Sequence, residues 1–424
     1  MKELILKLKS NLTIKTVSYW GMVGFLFLYV FSIPSFSGRQ SWNLISYICM
    51  AGLITFTFTY TFLFAKFIFN KLLIFPALFV ITAFVGTALN SHFFVGKTGT
   101  LGWTSLVLML ITLFVFYYSF VGIKNKKIII YILLAAFLTF AFYFAIHYRE
   151  KIIYLDLSSD RIDAFFDNPN AIGFYFAIAY TLSLYCVVFL KKKIELLLLV
   201  PTSLFFGLGF FTGSRAFFVL LVVGTVFVMY FKLKKHKVIF FAGLFSLIGL
   251  LAILINIPQL AFLKEQFGRT LYTIFGIGNS KVDASTVQRA VWPGYAFYLA
   301  GKNMLFGYGV EGFSIYSGVG TYAHNNFAEV ICNFGLIGFL LFNACYIIPV
   351  FLSFRNRDEY TNLVPILFSI FFFRSFFGVT YYSKEAYMVI ALLMFLVKDI
   401  NLEALFKSFV KKEPQGSILY EVSI

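Results

Sequence analysis

Long apolar runs separated by short polar gaps recur along the whole chain. Runs of 17 to 23 residues recur, and a helix of that length can cross a bilayer core that is roughly 30 Å thick. The pattern predicts an all-α, polytopic membrane protein with about twelve transmembrane helices. The predicted helices cover 17–36, 42–64, 72–90, 102–123, 128–147, 171–190, 194–212, 216–231, 238–257, 326–353, 362–379 and 385–399.

The composition excludes a soluble protein. Hydrophobic residues make up 60% of the chain and charged residues only 12%, far from the usual balance of a soluble domain. The run at 17–36 follows a basic start, but it is too long for a signal-peptide core, so we expect a retained first helix. No repeat or linker divides the chain, so residues 1–424 are predicted to form one integral membrane domain.

The net charge of +17 is distributed as membrane topology requires. Basic clusters occupy alternate gaps between the apolar runs, and seven such places hold 22 of the 35 Lys and Arg residues. This positive-inside pattern predicts that both termini are cytoplasmic. Nucleic-acid binding is a poor explanation, because the clusters are separate short loops and not one basic face.

On this topology two long segments lie on the outer face, at 147–170 and at 258–325. We predict that the second, which precedes the tenth helix, carries part of the active site, because long polar loops in compact folds are usually functional or disordered. Its first apolar residues recur at helical spacing, which predicts a helix on the outer membrane surface. These residues are Leu260, Leu263, Phe267, Leu271 and Ile274.

Three side chains on the outer face have suitable chemistry. Arg215 lies in the short turn between two apolar runs, and its guanidinium has five donors that suit phosphate oxygens, although it could equally snorkel to the headgroups. Arg289 lies in the 258–325 segment, where a solvated surface arginine is the simpler interpretation. His324 precedes the helix that starts near Asn325; it suits proton transfer, or it is a hydrogen-bonded interfacial histidine.

The sequence contains no evident metal site. Cys49, Cys186, Cys332 and Cys345 lie inside apolar runs without a Cys-x-x-Cys spacing, as small buried side chains do. No Asp-x-Asp pair lies on the predicted outer face. We therefore expect a reaction without metal or cofactor.

Four motifs together resemble one family. "HNNFAEVICNFGLIG", from His324 to Gly338, fits the H-[NSQ]-x9-G-x-x-G pattern of bacterial O-antigen ligases and related polysaccharide polymerases. "TGSRAFF" resembles the Ser-Arg motif of that superfamily, and "QRAVWPGYAFYLAGKNMLFGYGVEGF" resembles its R-x-x-W…G-x-G loop. "DNPNAIGFYFAIA" resembles its Asn-Pro-Asn start of an earlier helix. The resemblance covers residues 160 to 350, and the four motifs occur in the family's order.

The resemblance implies a mechanism and a fold. Such enzymes are similar to the GT-C class of glycosyltransferases and use a polyprenyl-pyrophosphate-linked glycan as donor. By this resemblance Arg215 and Arg289 hold the pyrophosphate, and His324 activates or orients the acceptor hydroxyl. Two arginines can neutralise the leaving pyrophosphate without a metal, and direct attack on the anomeric carbon would invert it.

Further residues are candidates for glycan contact. We predict substrate-binding roles for Asn325, Asn170, Arg161, Tyr322 and Tyr308, although a solvated loop around Arg161 and interfacial tyrosines are the simpler alternatives. Asn325 can also cap the helix that follows it. Two ionisable side chains in apolar surroundings, Glu329 and Arg374, are candidates for an ion pair, or Arg374 for another phosphate contact.

The favoured function is a polymerase that joins lipid-linked repeat units into a capsule, exopolysaccharide or O-antigen chain. The enzyme would act at the outer face of the bacterial cytoplasmic membrane, with membrane lipid around it and a chain-length regulator and a flippase as candidate partners. The alternatives are a ligase that moves the glycan to lipid A core or another acceptor, and a flippase. A flippase would favour internal repeats and midplane cations, which this sequence lacks apart from Arg374.

Overall fold

The computed structural model describes residues 2–36, 43–65, 69–90, 99–153, 169–190, 193–256, 284–355 and 358–399. The predicted surface helix at 260–274 and Arg161 lie outside these residues. In chain order the helices are α1 Lys2–Phe36, α2 Asn43–Phe64, α3 Ile74–Leu89, α4 Gly99–Ile123, α5 Lys126–His147, α6 Arg149–Ile153, α7 Pro169–Phe189, α8 Leu199–Phe211, α9 Arg215–Leu233, α10 Lys237–Ile255, α11 Ala284–Lys302, α12 Gly312–Ser317, α13 Asn326–Ser353, α14 Leu363–Arg374 and α15 Lys384–Leu396. Short 3₁₀ turns, Lys71–Leu73 and Lys193–Leu198, precede α3 and α8.

The described residues are mostly helical and contain no strand, so the prediction of an all-α membrane protein is confirmed. Nine helical stretches within them are long and apolar enough to cross a membrane, and these belong to α1–α5, α7–α9 and α13. The total of twelve is not confirmed. Helices α14 and α15 have 12 and 13 residues, which corresponds to about 20 Å or less, against a core of roughly 30 Å.

Two of the helices form the centre of the bundle. Nearly every residue of α15 is buried, and so are most of those of α7, whichever side they face. A helix that is apolar all round is expected in such a position, surrounded by other helices. Helix α7 packs against α8 and α9, α15 packs against α4, and α13 packs against α3.

Ion pairs join the helices at one end of the bundle, which we call the basic end. Lys126 Nζ lies 2.5 Å from the Asp358 carboxylate, and Lys127 Nζ lies 2.6 Å from the carboxylate of Glu195. Helices α7 and α9 begin, and α3 ends, at the opposite end of the bundle. This second end, which we call the site end, carries the sequence motifs.

Helix α13 is broken at Gly335, where φ is 63° and ψ is −169°. The rings of Phe327 and Phe339 lie only 6.5 Å apart, whereas twelve residues of continuous helix would separate them by about 18 Å along the axis. The first part of α13 (326–334) therefore folds back against the second part (336–353). Because His324 immediately precedes α13, its position depends on this fold-back.

The segment 304–309 fills the break in α13. A broken helix leaves carbonyl and N–H groups without their partners four residues away. Here the N–H groups of Tyr308 and Gly309 donate to the carbonyls of Cys332 and Asn333, and those of Leu336 and Ile337 donate to the carbonyls of Met304 and Leu305. The same segment is tied to α3 by a 3.0 Å hydrogen bond from Asn90 Nδ2 to the carbonyl of Gly307.

Gly335 is required at this break. A Cβ atom there would lie 2.2 Å from the carbonyl oxygen of Leu305, and the positive φ disfavours any other residue. The glycine of the "GLIG" motif thus has a structural explanation: it allows the reversal that sets the position of His324.

Candidate active site

The turn between α8 and α9 holds Arg215 at the site end. Ser214 caps α9, and its hydroxyl accepts a hydrogen bond from the N–H of Phe217 at 3.3 Å. The same hydroxyl donates to Asn170 Oδ1 at 3.1 Å. Gly173 allows this contact, because a Cβ there would lie 2.7 Å from the serine side chain. The Asn-Pro-Asn and Ser-Arg motifs therefore meet directly.

Arg215 links α9 to α11. Its side chain is buried, and Nη1 donates to Thr286 Oγ1 at 3.0 Å. Arg289 follows Thr286 by three residues on α11, and Trp292 follows by another three. Residues at this spacing share one side of a helix, so the two arginines are brought to the same side of α11.

His324 lies between two aromatic side chains. Its ring stacks on that of Trp292, with centroids 5.5 Å apart and planes 17° apart, and Tyr322 meets it edge-on at 4.4 Å. The backbone of His324 has a φ of 58°, in the left-handed region that few residues other than glycine adopt. Such conformations persist where the surrounding structure determines them and are frequent at active sites.

The surroundings of His324 lower its pKa from the usual 6.5 to about 4. Burial is the main cause, because it disfavours the charged imidazolium, and the positive charge of Arg289 acts in the same direction. The imidazole is therefore neutral at pH 7 and can accept a proton.

The start of α13 fixes the backbone next to His324. Asn325 caps the helix, and its Oδ1 accepts hydrogen bonds from the N–H groups of Phe327 and Ala328. On the other side of His324, the N–H of Ala323 donates to the carboxylate of Glu329 at 2.5 Å. The histidine is thus held by hydrogen bonds to both neighbouring residues.

The carboxylate of Glu329 is hydrogen-bonded within its own segment. Besides Ala323, its carboxylate accepts a hydrogen bond from Asn333 Nδ2 at 3.1 Å. The guanidinium of Arg374 lies over the ring of Phe174, 5.8 Å from its centroid. The contacts of Glu329 are local, since Ala323 and Asn333 lie six and four residues from it in the chain.

Asn326 joins α13 to the connection between α14 and α15. Its N–H donates to the carbonyl of Ser375 at 2.8 Å, and its Oδ1 accepts from the N–H groups of Thr380 and Tyr381. The predicted helix 362–379 consequently ends earlier, at Arg374, and irregular backbone follows. The second asparagine of "HNN" is therefore a connector between elements and not the cap.

The predicted residues fall into three groups. Contacts through Ser214 and Thr286 connect Asn170 and Arg215 to the start of α11, and contacts with Trp292 and Tyr322 hold His324 further along that helix. Arg289 lies between Thr286 and Trp292 on the same side of α11, and Asn325 follows His324 in the chain. Tyr308 instead packs on Tyr316 at 4.3 Å, beside α12. Arg161 lies outside the described residues.

Sequence reasoning missed the side chains that connect the cluster. Thr286 and Trp292 were not among the predicted site residues, and Glu329 was considered only as an ion-pair partner. The spacing of Thr286, Arg289 and Trp292 in "STVQRAVW" was an available signal for a shared helix face. Among the described residues, no group of three His, Cys, Asp or Glu is placed to hold a metal ion.

The apolar helices define a multi-pass membrane protein. Residues 200–343 match the model of the O-antigen ligase family, and this stretch includes Arg215, Arg289 and His324. The match confirms the predicted relationship to the O-antigen ligase and polysaccharide polymerase superfamily, and it supports activity of the ligase or polymerase type. A comparison with curated proteins gives no match.

Proposed function

We propose that the protein is a polysaccharide polymerase of the cytoplasmic membrane. It transfers glycan from a polyprenyl-pyrophosphate-linked donor to the end of another lipid-linked repeat unit, on the outer face. The observation that carries the proposal is the chain of contacts from Arg215 through Thr286 and α11 to Trp292 and His324. This chain of contacts supports a shared role for the two cations and the neutral base.

In the proposed reaction, Arg215 and Arg289 bind the pyrophosphate oxygens of the donor. A hydroxyl of the acceptor glycan gives its proton to the imidazole of His324, and its oxygen attacks the anomeric carbon. The bond from that carbon to the pyrophosphate breaks with inversion, and the two guanidinium groups stabilise the charge on the leaving group. The imidazolium then releases its proton, and no metal takes part.

Donor binding would also make His324 a stronger base. The charge of Arg289 lowers the pKa of His324, and a bound pyrophosphate would offset that charge. The pKa would then rise part of the way toward its usual value of 6.5, because burial, the larger cause of the shift, remains. The base would be activated only when the donor is in place.

The charges of the basic end support the proposed topology. Lys126, Lys127 and Lys232 lie at this end, and the positive-inside rule assigns such an end to the cytoplasm. The site end is then extracytoplasmic, both termini are cytoplasmic, and the 258–325 segment contributes Arg289 and His324. The architecture is proposed to be GT-C-like, with capsule, exopolysaccharide or O-antigen as product.

The competing function is a ligase, since the donor chemistry is shared. The purified protein in liposomes is given a polyprenyl-pyrophosphate repeat unit, without and then with a second acceptor such as lipid A core. A ladder of chains from the donor alone supports the polymerase. Transfer only after addition of the acceptor favours the ligase, and glycan that crosses the bilayer without a new bond favours a flippase.

The arginine roles are tested in the same assay. Arg215→Gln and Arg289→Gln should each weaken donor use by about 10-fold or more, since a charge-assisted hydrogen bond contributes about 1.5–3 kcal/mol. Arg149→Gln, an exposed cation on α6 at the same end, is the matched control and should retain activity. Full activity of both test variants would contradict the proposed donor site.

A further inference from the structure

Helix α11 has an exposed apolar side opposite the candidate active site. Its large exposed side chains are Val287, Val291, Tyr295, Phe297 and Tyr298, with Val291 and Tyr298 each 59% exposed. Thr286, Ala296 and Ala300 on its other side are buried. This helix is not among the nine stretches that are long and apolar enough to cross a membrane.

The exposed side of α11 carries no charge over most of its length. Arg289 is the one charged residue between Ala284 and Gly301. It lies two residues from both Val287 and Val291, and two residues turn a helix by about 200°. Its side chain is therefore on the opposite side, where its charge reaches His324.

The exposed surface continues beyond the end of α11. Met304 and Leu305 are 58% and 59% exposed. The segment they belong to is hydrogen-bonded to the end of α3 through Asn90. Helix α3 belongs to a membrane-spanning stretch, and its last residue, Leu89, is 65% exposed. The exposed apolar residues of α11 are thus followed by exposed apolar residues in a segment that is joined to the end of a membrane-spanning stretch.

We propose that α11 lies in the bilayer leaflet at the site end, with Val287, Val291 and Phe297 among the lipid chains. A contiguous exposed apolar surface of this kind marks an interaction site, and a helix with one apolar side and one polar side suits the plane of the interface. Lys302 ends the helix with its Nζ over the ring of Tyr298 at 4.5 Å, an arrangement typical of residues at the lipid–water boundary.

This position has a consequence for substrate delivery, which rests on the proposed function. The lipid chains would lie on one side of α11 and the two arginines on the other. A lipid-linked donor could then keep its prenyl chain in the bilayer while its pyrophosphate reaches Arg289. The membrane position of α11 itself does not depend on the reaction.

The test uses spin labels on single introduced cysteines at Val291 and Phe297, in the full-length protein in liposomes. All four native cysteines are buried, so an exposed introduced cysteine is labelled selectively. Collision rates are measured with oxygen, which concentrates in lipid, and with a water-soluble nickel chelate. Ile81 on α3 is the lipid reference, and Lys235 in the exposed turn after α9 is the water reference.

Labels at Val291 and Phe297 should resemble the Ile81 label, with oxygen collisions several-fold more frequent than nickel collisions. A preference for nickel like that of the Lys235 label would place this side of α11 in water. Rare collisions with both reagents would mean that protein covers it. Either result would overturn the proposal. If a labelled variant does not fold, the fluorescence of Phe297→Trp gives the same decision. Brominated lipid should quench this fluorescence, and a quencher dissolved only in the water should not.

Discussion

The ring of His324 stacks on that of Trp292, with the two centroids 5.5 Å apart. This contact joins the segment before α13 to α11, which carries Arg289. The position of the proposed base and that of one proposed phosphate ligand therefore both depend on α11. A shift of α11 would therefore change the position of both. The following predictions test this arrangement.

The pH dependence should reflect the low pKa of His324. The free protein has a pKa of about 4 at this residue, so the imidazole stays neutral above roughly pH 5 and is charged only in more acid solution. We expect kcat/KM to show no inflection from His324 between about pH 5.5 and 8, because kcat/KM reports groups of the free enzyme. An inflection near 6.5 that disappears in His324→Gln would contradict this.

Removal of the neighbouring charge should raise that pKa. Arg289→Gln leaves His324 buried, and burial is the larger cause of the shift. The acid limb of the residual activity should therefore move upward, part of the way from 4 to 6.5. The pH profile of the slow variant provides the measurement, with Arg149→Gln as control. An unchanged acid limb would mean that the charge of Arg289 does not act on His324.

Thr286 should matter through Arg215. Thr286→Val keeps the shape of the side chain and removes the hydroxyl that accepts the 3.0 Å hydrogen bond. We expect about a 10-fold loss in kcat/KM for the donor, since a hydrogen bond to a charged group contributes about 1.5–3 kcal/mol. Thr286→Ser retains the hydroxyl and should remain within about threefold of wild type. Equal effects of the two changes would exclude this role.

Glu329 should act by positioning the backbone beside His324. Glu329→Gln keeps an oxygen for the N–H of Ala323, whereas Glu329→Leu removes it. Misplacement of a catalytic group by about 1 Å can reduce a rate about 100-fold. We expect Glu329→Leu to lower kcat by 10- to 100-fold with little change in donor affinity, and Glu329→Gln to retain most activity. A loss of donor affinity in Glu329→Leu without a lower kcat would indicate another role for Glu329.

Gly335 should be essential for folding of the site. Gly335→Ala would place a Cβ 2.2 Å from a backbone carbonyl, at a φ of 63°. The backbone strain alone costs about 1–3 kcal/mol, so thermal unfolding in detergent should occur at a clearly lower temperature. Gly243→Ala in α10, where a Cβ would meet nothing within 4 Å, is the control and should be neutral or slightly stabilising. Equal unfolding temperatures would contradict the proposed role of the break.

The helices were largely predictable because each apolar run specifies its own helix. Helix α9 begins at Arg215, one residue from the prediction, since Ser214 supplies a local cap. The break at Gly335 was not predictable in this way. It depends on the hydrogen bonds of a segment about thirty residues earlier in the chain, and an uninterrupted apolar run gives no sign of them.

The chemistry of the site was more predictable than its connections. Arg215, Arg289 and His324 are conspicuous because charged and titratable residues are rare in such an apolar sequence. The contact between Arg215 and Thr286 requires that α9 and α11 be neighbours, and helical periodicity within one segment does not contain that information.

The most direct measurement of the central claim is donor turnover by His324→Ala in liposomes, together with donor affinity. Since the two arginines are proposed to bind the pyrophosphate, the variant should bind the donor with an affinity within a few-fold of wild type. Formation of new glycosidic bonds should fall by about 100-fold or more, as expected for loss of a general base. Glycan transfer at nearly the wild-type rate by this variant would contradict the account.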